Sequence, residues 1–416
     1  MINQYILKSK DIPLVAFDYD VTNKTINGVK TVHYKLKITK VFDENKRLFP
    51  KNLFIVDDDS LLEWIKKRKA PNNRTFVEQI MSAYNDNSDP IKYVDVCKAL
   101  SVNDAFWIEN QVFPQKWDDI NLYHHRFDEI LAYVAFTGYT KKVKGEVVSP
   151  EPTTNGMQRK CWANRHDSIC LLKGASELLD RNGRSEVYSE YYASQIASVL
   201  EFNHVDYEIE EFIHRDGKHE YISVCKAFTD ENTGYVPFYV LLRNNNIKYD
   251  TVLSDYEKQL QFADFYGQEA FEDMMLFDSI IYNTDRHLGN FGMLVNNNDG
   301  TVIGPSPIFD NGMSLFVGAA KSDLKKGIQF SEYIRSLESK FDIDFDEQAY
   351  RFVQARHIPK LRKLSQYVLH PHPHATLNKE YFDLLKHFVQ YRAKQIIEFY
   401  NNKVQNIRQN QNKKKS

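Results

Sequence analysis

Cysteine is scarce in this sequence, and the few cysteines follow no pattern that would serve a disulfide framework. The four are widely spaced, stand in apolar surroundings and form no CxxC pair: Cys97, Cys161, Cys170 and Cys225. Cysteines of this kind are typical of reduced, buried thiols in cytosolic proteins. We therefore expect a cytoplasmic protein whose fold does not depend on disulfides.

The sequence also lacks a long apolar run and an excess of either charge. It has no apolar run of membrane-spanning length and no basic start followed by an apolar core, so we expect neither a membrane segment nor a secretion signal. Lys and Arg number 54 against 56 Asp and Glu, which argues against direct nucleic-acid binding by this chain. At 416 residues the chain exceeds the usual size of one core, and at least two domains are expected.

The stretch NTDRHLGN at 283–290, followed by IFDNG at 308–312, carries the most functional information. Phosphoryl transfer needs a carboxylate that orients the attacking hydroxyl and oxygen ligands that hold Mg²⁺ on the triphosphate. The gap from Asp285 to Asn290 is that of the protein-kinase catalytic loop. A predicted hairpin between Asn290 and Asp310 brings the second Asp back beside the first. The pattern predicts an ATP-dependent kinase with Asp285 as the base and Asn290 and Asp310 as Mg²⁺ ligands.

Two segments upstream supply candidates for the phosphate contacts. Asn155-Gly156 is a strong hairpin signal, and this turn with Lys160 would offer backbone N–H groups and a cation to phosphates. The apolar segment 168–173 predicts a strand that ends in Lys173. A lysine on such a strand suits a contact with the α- and β-phosphates of ATP.

The next segment predicts a helix over 188–200, with Ser185 or Ser189 as its N-cap. Glu190 lies in the first turn of this helix. The small residues around it would let the helix approach a sheet closely, so that Glu190 pairs with Lys173 as kinases require.

A further strand is predicted over 221–228. It is the natural hinge between two lobes, and we expect its backbone from Lys226 to Phe228 to hydrogen-bond the adenine edge.

The segment pattern divides the chain into four parts: an N-terminal accessory domain at 1–120, a nucleotide-binding lobe at 121–250, a helical catalytic lobe at 251–402 and a disordered Gln/Asn/Lys-rich tail at 403–416. In the first part, helices are predicted over 61–69 and 75–84, the latter with Thr75 as N-cap. No chemistry is assigned to this part. The alternating histidines of 370–374 are interpreted as plain loop rather than as a metal site.

Together, the DRHxxN pattern at 285–290 with Asp310, the strand lysine Lys173, the helix start Ser189-Glu190 and the helical C-terminal part resemble the HipA-like serine/threonine protein kinases, a family of bacterial toxin kinases. The resemblance covers about 145–400. It implies an α+β, bilobal protein-kinase-like fold with a mainly β nucleotide lobe, an all-helical C-terminal lobe and an N-terminal α/β accessory domain.

The resemblance also implies ATP- and Mg²⁺-dependent phosphorylation of a protein Ser or Thr, with Lys173 on the α- and β-phosphates. A small helix-turn-helix antitoxin is a possible partner. Members of the family autophosphorylate a Ser in the phosphate loop. This sequence offers Thr153 and Thr154 there instead, so that form of regulation stays open.

Two other functions remain open at this point. A lipid or small-molecule kinase could use the same fold, since fold does not fix the substrate. The basic residues Lys321, Lys325 and Lys326 would suit a charged headgroup. A catalytically silent nucleotide-binding module is the third hypothesis, with the first domain as its interaction part.

Overall fold

The computed structural model describes residues 3–26, 29–83, 92–143, 145–165, 167–176, 185–245, 256–320, 322–324 and 328–413. Within these residues the chain combines antiparallel sheets with many helices, in agreement with the α+β class. The description by lobes stays a prediction.

The first sheet lies at the N-terminal end of the chain. It is antiparallel in the order β3-β2-β1-β4, with strands β1 (Asn3–Ser9), β2 (Ile12–Ile26), β3 (Val29–Val41) and β4 (Phe106–Asn110). Alternate residues of β1 point inward, which buries Tyr5 and Leu7. Helix α1 (Asp58–Arg68) shares this core through Leu61, Trp64 and Ile65.

Helix starts in this region differ from the sequence prediction because of their caps. Helix α1 begins at Asp58 rather than at 61, since the Asp57 carboxylate accepts a hydrogen bond from the Ser60 N–H. The predicted N-cap at Thr75 is wrong. Phe76 is the N-cap residue of α2 (Val77–Ser82), and the Thr75 hydroxyl donates instead to the Met157 carbonyl. Three further helices follow: α3 (Lys92–Cys97), α4 (Trp117–Ile120) and α5 (Glu129–Thr137).

The second sheet carries the predicted strand lysine. Its order is β5-β6-β8-β7, from strands β5 (Lys160–Arg165), β6 (Ser168–Lys173), β7 (Glu208–Ile213) and β8 (His219–Lys226). Strand β6 has the predicted bounds. Helix α6 (Glu186–Val199) packs against β7 and β8 and has Ser185 at its N-cap position.

The predicted hairpin at Asn155-Gly156 is wrong. Residues Glu151–Thr153 form a 3₁₀ turn, and the segment from there to β5 is loop. Pro150 and Pro152 lack the N–H that a strand ladder needs, which favours a loop over a strand here. Gly156 has φ +92°, a conformation that suits glycine.

The third sheet contains the hairpin predicted between Asn290 and Asp310, which is confirmed. Strands β9 (Thr233–Pro237), β10 (Gly292–Asn296) and β11 (Val302–Pro305) pair in the order β11-β10-β9. A Cβ on Gly292 would lie 2.2 Å from the Val236 carbonyl oxygen, so this close pairing requires glycine. The predicted C-terminal part is therefore not all helical. It contains strands β10 and β11, and β10 pairs with β9 from the preceding part of the chain.

Helices form the rest of the C-terminal part. They are α7 (Phe238–Asn244), α8 (Tyr256–Tyr266), α9 (Gln268–Ile281), α10 (Ile328–Arg335), α11 (Phe345–Phe352), α12 (Ile358–Leu364) and α13 (Lys379–Lys413). Helix α9 is central to their apolar core and buries most of its residues. It ends at Ile281, and the C-cap residue Tyr282 has the left-handed conformation, after which the 283–290 loop begins.

The predicted disordered tail at 403–416 is wrong for its larger part, because α13 continues to Lys413. Lys, Gln and Arg are good helix formers, and the Lys403 ammonium donates to the carbonyls of Arg351 and Val353. Residues 414–416 lie outside the described residues. No helix in the described part of the chain is both long and apolar enough to span a membrane.

Apolar packing crosses the predicted boundary at residue 120. Ile80 from α2 lies in one cluster with Leu131 and Val134 from α5 and with Leu172 from the second sheet. The four domain ranges stay a prediction, but the first part of the chain is joined to the second sheet by a shared core.

Arg392 is the buried cation that ties α13 to the helical core. Its guanidinium donates to the carbonyls of Ser279 at 3.1 Å and Phe345 at 2.7 Å, and it pairs with Asp346.

We expect Arg392→Met to lower the free energy of unfolding by about 2–4 kcal/mol, because it leaves two buried carbonyls without a donor. Urea unfolding measures this. The control is Arg362→Met at an exposed position, which should change the free energy of unfolding by less than about 0.5 kcal/mol. A similar loss of stability in both variants would contradict the prediction.

Candidate functional site

The centre of the site is a buried lysine between two carboxylates. Lys173 at the end of β6 places its ammonium 2.8 Å from the Glu190 carboxylate on α6 and 2.6 Å from that of Asp310. The other oxygen of Glu190 accepts the Asn311 N–H at 2.8 Å. The Asp310 N–H donates to the Tyr207 hydroxyl at 3.1 Å. One strand, one helix and one loop thus meet at Lys173.

The charges of this cluster are mutually stabilised. Burial alone would lower the pKa of Lys173, but Asp310 and Glu190 outweigh it and raise this pKa well above the ordinary lysine value. Burial likewise favours neutral Asp310, but Lys173 and Lys160 hold its pKa well below its usual range. Burial raises the pKa of Glu190, and Lys173 opposes that rise. Lys173 and Asp310 are therefore charged at neutral pH.

A second lysine faces the same point. Lys160 on β5 is the direct antiparallel partner of Lys173, so both side chains lie on one face of the sheet. Lys160 is buried, and burial followed by repulsion from Lys173 lowers its pKa to about 8. A Cβ on Gly156 would lie 2.2 Å from the Lys160 nitrogen, so this side chain reaches across to the 155–156 turn. The Asp310 carboxylate reduces the repulsion between these two like charges, and a bound anion would reduce it further.

The loop at 283–290 is organised by a buried arginine. Arg286 donates to both oxygens of Asp278 on α9, at 2.9 and 3.0 Å, and to the Asn290 carbonyl at 2.9 Å. It also donates to the Asn311 amide oxygen at 2.6 Å and to the Phe309 carbonyl. One guanidinium therefore fixes both predicted motifs, 283–290 and 308–312, against α9.

Asp285 and Asn290 are brought together by this loop. The Asn290 amide donates to the Asp285 carbonyl at 3.0 Å, while the Asp285 carboxylate remains about 40% exposed and lies 3.5 Å from the Lys340 ammonium. An accessible carboxylate can accept a proton from a substrate hydroxyl. Asp310 has φ +57°, a rare backbone conformation for a residue other than glycine and one that occurs at functional sites.

An apolar wall lies beside the charged cluster. Val205, Tyr207 and Cys225 form a buried cluster with Leu171, Phe228 and Phe309. The rings of Phe228 and Phe309 lie 5.1 Å apart. Apolar surface of this kind next to a few polar groups is typical of a site for a flat heterocycle.

One cavity of about 1820 Å³ connects these parts. It exceeds the volume that a single small ligand usually occupies, roughly 300–1,000 Å³, so it has room for an acceptor beside a nucleotide. The predicted residues that line it are Asn155, Gly156, Lys160, Lys173, Lys226, Phe228, Asp285, Asn290 and Asp310. Glu190 joins them through its bond to Lys173.

Three features were absent from the sequence prediction or differ from it. Arg286 stands inside the DRHxxN pattern, but its role needs the buried Asp278, which only the packing brings near it. Lys340 is 55 positions from Asp285 in the chain, and no sequence pattern around it indicates a contact with Asp285. Within the predicted hinge, the Ala227 N–H is already bonded to the Ile169 carbonyl, so it is not free for a ligand.

The two threonines considered for autophosphorylation are buried and bonded. The Thr153 hydroxyl donates to the Leu100 carbonyl at 2.5 Å, and the Thr154 hydroxyl donates to the Pro150 carbonyl at 2.8 Å. Neither hydroxyl is accessible in this conformation of the loop.

Comparison with known proteins finds similarity only in structure. No family model and no curated protein matches the chain. HipA of Shewanella oneidensis MR-1, solved as a toxin–antitoxin system with HipB and operator DNA, has a TM-score of 0.54 and 12% identity, covering 96% of this chain and 98% of its own. CtkA, a proinflammatory kinase of Helicobacter pylori, has a TM-score of 0.43 and 17% identity over 60% of this chain and 94% of its own. The predicted resemblance to HipA-like proteins is confirmed at the level of the fold. The likeness covers 96% of the chain, whereas the sequence predicted it only for about 145–400.

The charge of Lys160 should appear in the pH dependence of stability. Because its pKa falls from an ordinary value of 10.5 to about 8 on folding, the unfolded chain binds more protons between these values, and stability rises with pH there. We expect Lys160→Met to be more stable than the wild type by about 2 kcal/mol at pH 7.5, with the difference shrinking toward pH 10.

Urea unfolding at pH 7.5, 8.5 and 9.5 measures this difference. The exposed Lys363→Met serves as the matched control and should show a small difference from the wild type that does not change with pH. A Lys160→Met protein less stable than the wild type at pH 7.5 would contradict the cost assigned to burial of the Lys160 charge and to its repulsion by Lys173.

Proposed function

We propose that this protein is a HipA-like serine/threonine protein kinase that transfers the γ-phosphate of ATP in a Mg²⁺-dependent reaction. The observation that carries the proposal is the Lys173 cluster, in which the strand lysine, the helix carboxylate Glu190 and the loop carboxylate Asp310 meet in the cavity that Asp285 and Asn290 also line. Protein kinases need this lysine–glutamate pair and a metal-binding Asp in place at the same time.

The residues present fit the nucleotide. Lys160 and Lys173 lie opposite each other in the strand register, and phosphate oxygens would accept hydrogen bonds from both ammonium groups. The apolar wall around Phe228 and Phe309 offers surface to an adenine ring. The 155–156 turn lines the same cavity on the phosphate side.

The donor set also fits Mg²⁺. Asp310 and Asn290 both line the cavity and supply a carboxylate and an amide oxygen, the ligand types that Mg²⁺ prefers. Among the described residues there is no cluster of three or more His, Cys, Asp or Glu of the kind that holds a metal unaided. This agrees with Mg²⁺ bound by one or two protein ligands together with substrate phosphates. Bound there, the ion would neutralise charge that develops on the phosphates.

Asp285 would act on the acceptor. As the acceptor oxygen of a Ser or Thr forms its bond to the γ-phosphorus, the bond from that phosphorus to the bridging oxygen of ADP breaks, and Asp285 takes the hydroxyl proton. Lys340, 3.5 Å from this carboxylate, keeps a positive charge on the acceptor side. The helix α9 and Arg286 hold Asp285 in place through the loop backbone.

A partner of the antitoxin type belongs to the same proposal. The structurally similar HipA was solved with HipB and operator DNA. We propose that this chain likewise pairs with a small helix-turn-helix protein, which would supply the DNA contact that the balanced charge of this chain disfavours.

All three lysines considered for a lipid headgroup, Lys321, Lys325 and Lys326, lie outside the described residues. A protein acceptor is proposed by analogy with the structurally similar HipA, and the labelled product decides between protein and lipid.

Phosphate transfer tests the proposal directly. Purified protein is incubated with γ-labelled ATP and Mg²⁺, alone and with a cell lysate, and the label incorporated into protein is measured over time. We expect Asp285→Asn to lower the rate by at least about 10²-fold, because the proton acceptor is lost. We expect Asp310→Asn to lower it by about 10²-fold or more, because a metal ligand and the partner of Lys173 are lost together.

The matched control is Asp118→Asn, an exposed carboxylate of α4, which should label at the wild-type rate. Label in a lipid extract rather than in protein would assign the activity to lipid. Tight ATP binding without labelled protein or lipid would favour a silent nucleotide-binding module.

A further inference from the structure

Arg74, from the N-terminal part of the chain, binds the loop that carries Asn155, Gly156 and the start of β5. We call residues 151–160 the phosphate-side loop. Arg74 pairs with the Glu151 carboxylate at 2.5 Å, and both side chains are 0% exposed. Arg74 also donates to three carbonyls of this loop, those of Glu151 at 2.5 Å, Thr154 at 3.3 Å and Lys160 at 3.0 Å. The guanidinium thus spans the loop from its beginning to its end.

Two residues near Arg74 in the sequence also donate hydrogen bonds to this loop. The Ala70 N–H donates to the Pro152 carbonyl at 2.6 Å, and the Thr75 hydroxyl donates to the Met157 carbonyl at 2.8 Å. Residues 70–75 therefore follow the loop along its length. Arginine suits this role because its planar fork offers donors in several fixed directions.

The partner carboxylate connects the loop to the sheet. One oxygen of Glu151 pairs with Arg74, and the other accepts the Trp162 N–H of β5 at 2.7 Å. Burial raises the pKa of Glu151, and the charge of Arg74 opposes that rise. Without Arg74, the buried Glu151 carboxylate would lose its ion-pair partner and keep only the weaker effect of Lys160, and the loop would relax to solvate it.

We infer that Arg74 is a positioning residue of the nucleotide site. It holds the phosphate-side loop in the one conformation that keeps the 155–156 turn and Lys160 in the cavity. The inference rests on the proposed function for its consequence, which is that the nucleotide binds only when the loop is held. The N-terminal part, to which the sequence assigned no chemistry, is in this view a component of the ATP site.

Two measurements separate this role from a general contribution to stability. The first is the rate of trypsin cleavage after Arg159 or Lys160 in the nucleotide-free full-length protein, which reports opening of the loop. The second is the Kd and KM for Mg-ATP, together with kcat. If the loop is held for only a fraction of the time, the apparent affinity falls by that fraction, whereas kcat at saturation is retained.

The variants are Arg74→Met and the double variant Arg74→Met/Glu151→Gln. The double variant removes the lone buried charge and keeps an oxygen that can accept from Trp162, so it folds even if the single variant does not. The matched control is Lys8→Met, which removes an N-terminal ion pair with Glu109 at 2.8 Å; neither residue is among those that line the cavity.

We expect cleavage at 159–160 to rise about tenfold and the KM for Mg-ATP to rise at least about tenfold in both Arg74 variants, with kcat within about threefold of the wild type. Lys8→Met should leave both quantities at wild-type values even where it lowers the unfolding midpoint. Wild-type cleavage and KM in the folded Arg74 variants would overturn the inference. If the wild type does not bind Mg-ATP, the proposed function fails, while the cleavage rate still decides whether Arg74 holds the loop.

Discussion

The contact on which the rest of the site depends is the buried ammonium of Lys173 between the carboxylates of Glu190 and Asp310. A lone ammonium at this depth would lose its proton, and two lone carboxylates would repel each other. Together they are stable, but only if β6, α6 and the loop at 308–312 are held within hydrogen-bonding distance. The pairing therefore makes the relative position of three elements a condition for the charge state of the site.

Two buried arginines hold the loops of the site. Arg286 fixes the 283–290 and 308–312 loops to α9 through Asp278, while Arg74 fixes the phosphate-side loop through Glu151. Each is a buried ion pair whose value lies less in net stability than in the single arrangement it permits, because its donors are satisfied only there. The rest of the cavity is left free for ligands, with Lys160 facing Lys173 across an antiparallel pair.

Sequence patterns predicted the local elements of the site well where they depended on neighbours in the chain. The strand ending in Lys173, the helix with Glu190 in its first turns and the hairpin before Asp310 were all confirmed. Predictions failed where distant residues decided. The segment with Asn155 and Gly156 is a loop, held by Arg74 and preceded by two prolines. Residues 403–413 are helical, and Lys403 bonds to two carbonyls at the end of α11 and just after it.

The sequence by itself determined which chemical groups this protein has and roughly which elements carry them, because apolar periodicity and the spacing of Asp285, Asn290 and Asp310 are local properties. Only the tertiary structure decided which groups share one charge cluster. Lys160 opposes Lys173 through strand register, Lys340 reaches Asp285 through a loop far along the chain, and Arg74 enters the site from the N-terminal part. Such contacts depend on how whole elements pack, and no spacing in the sequence encodes them.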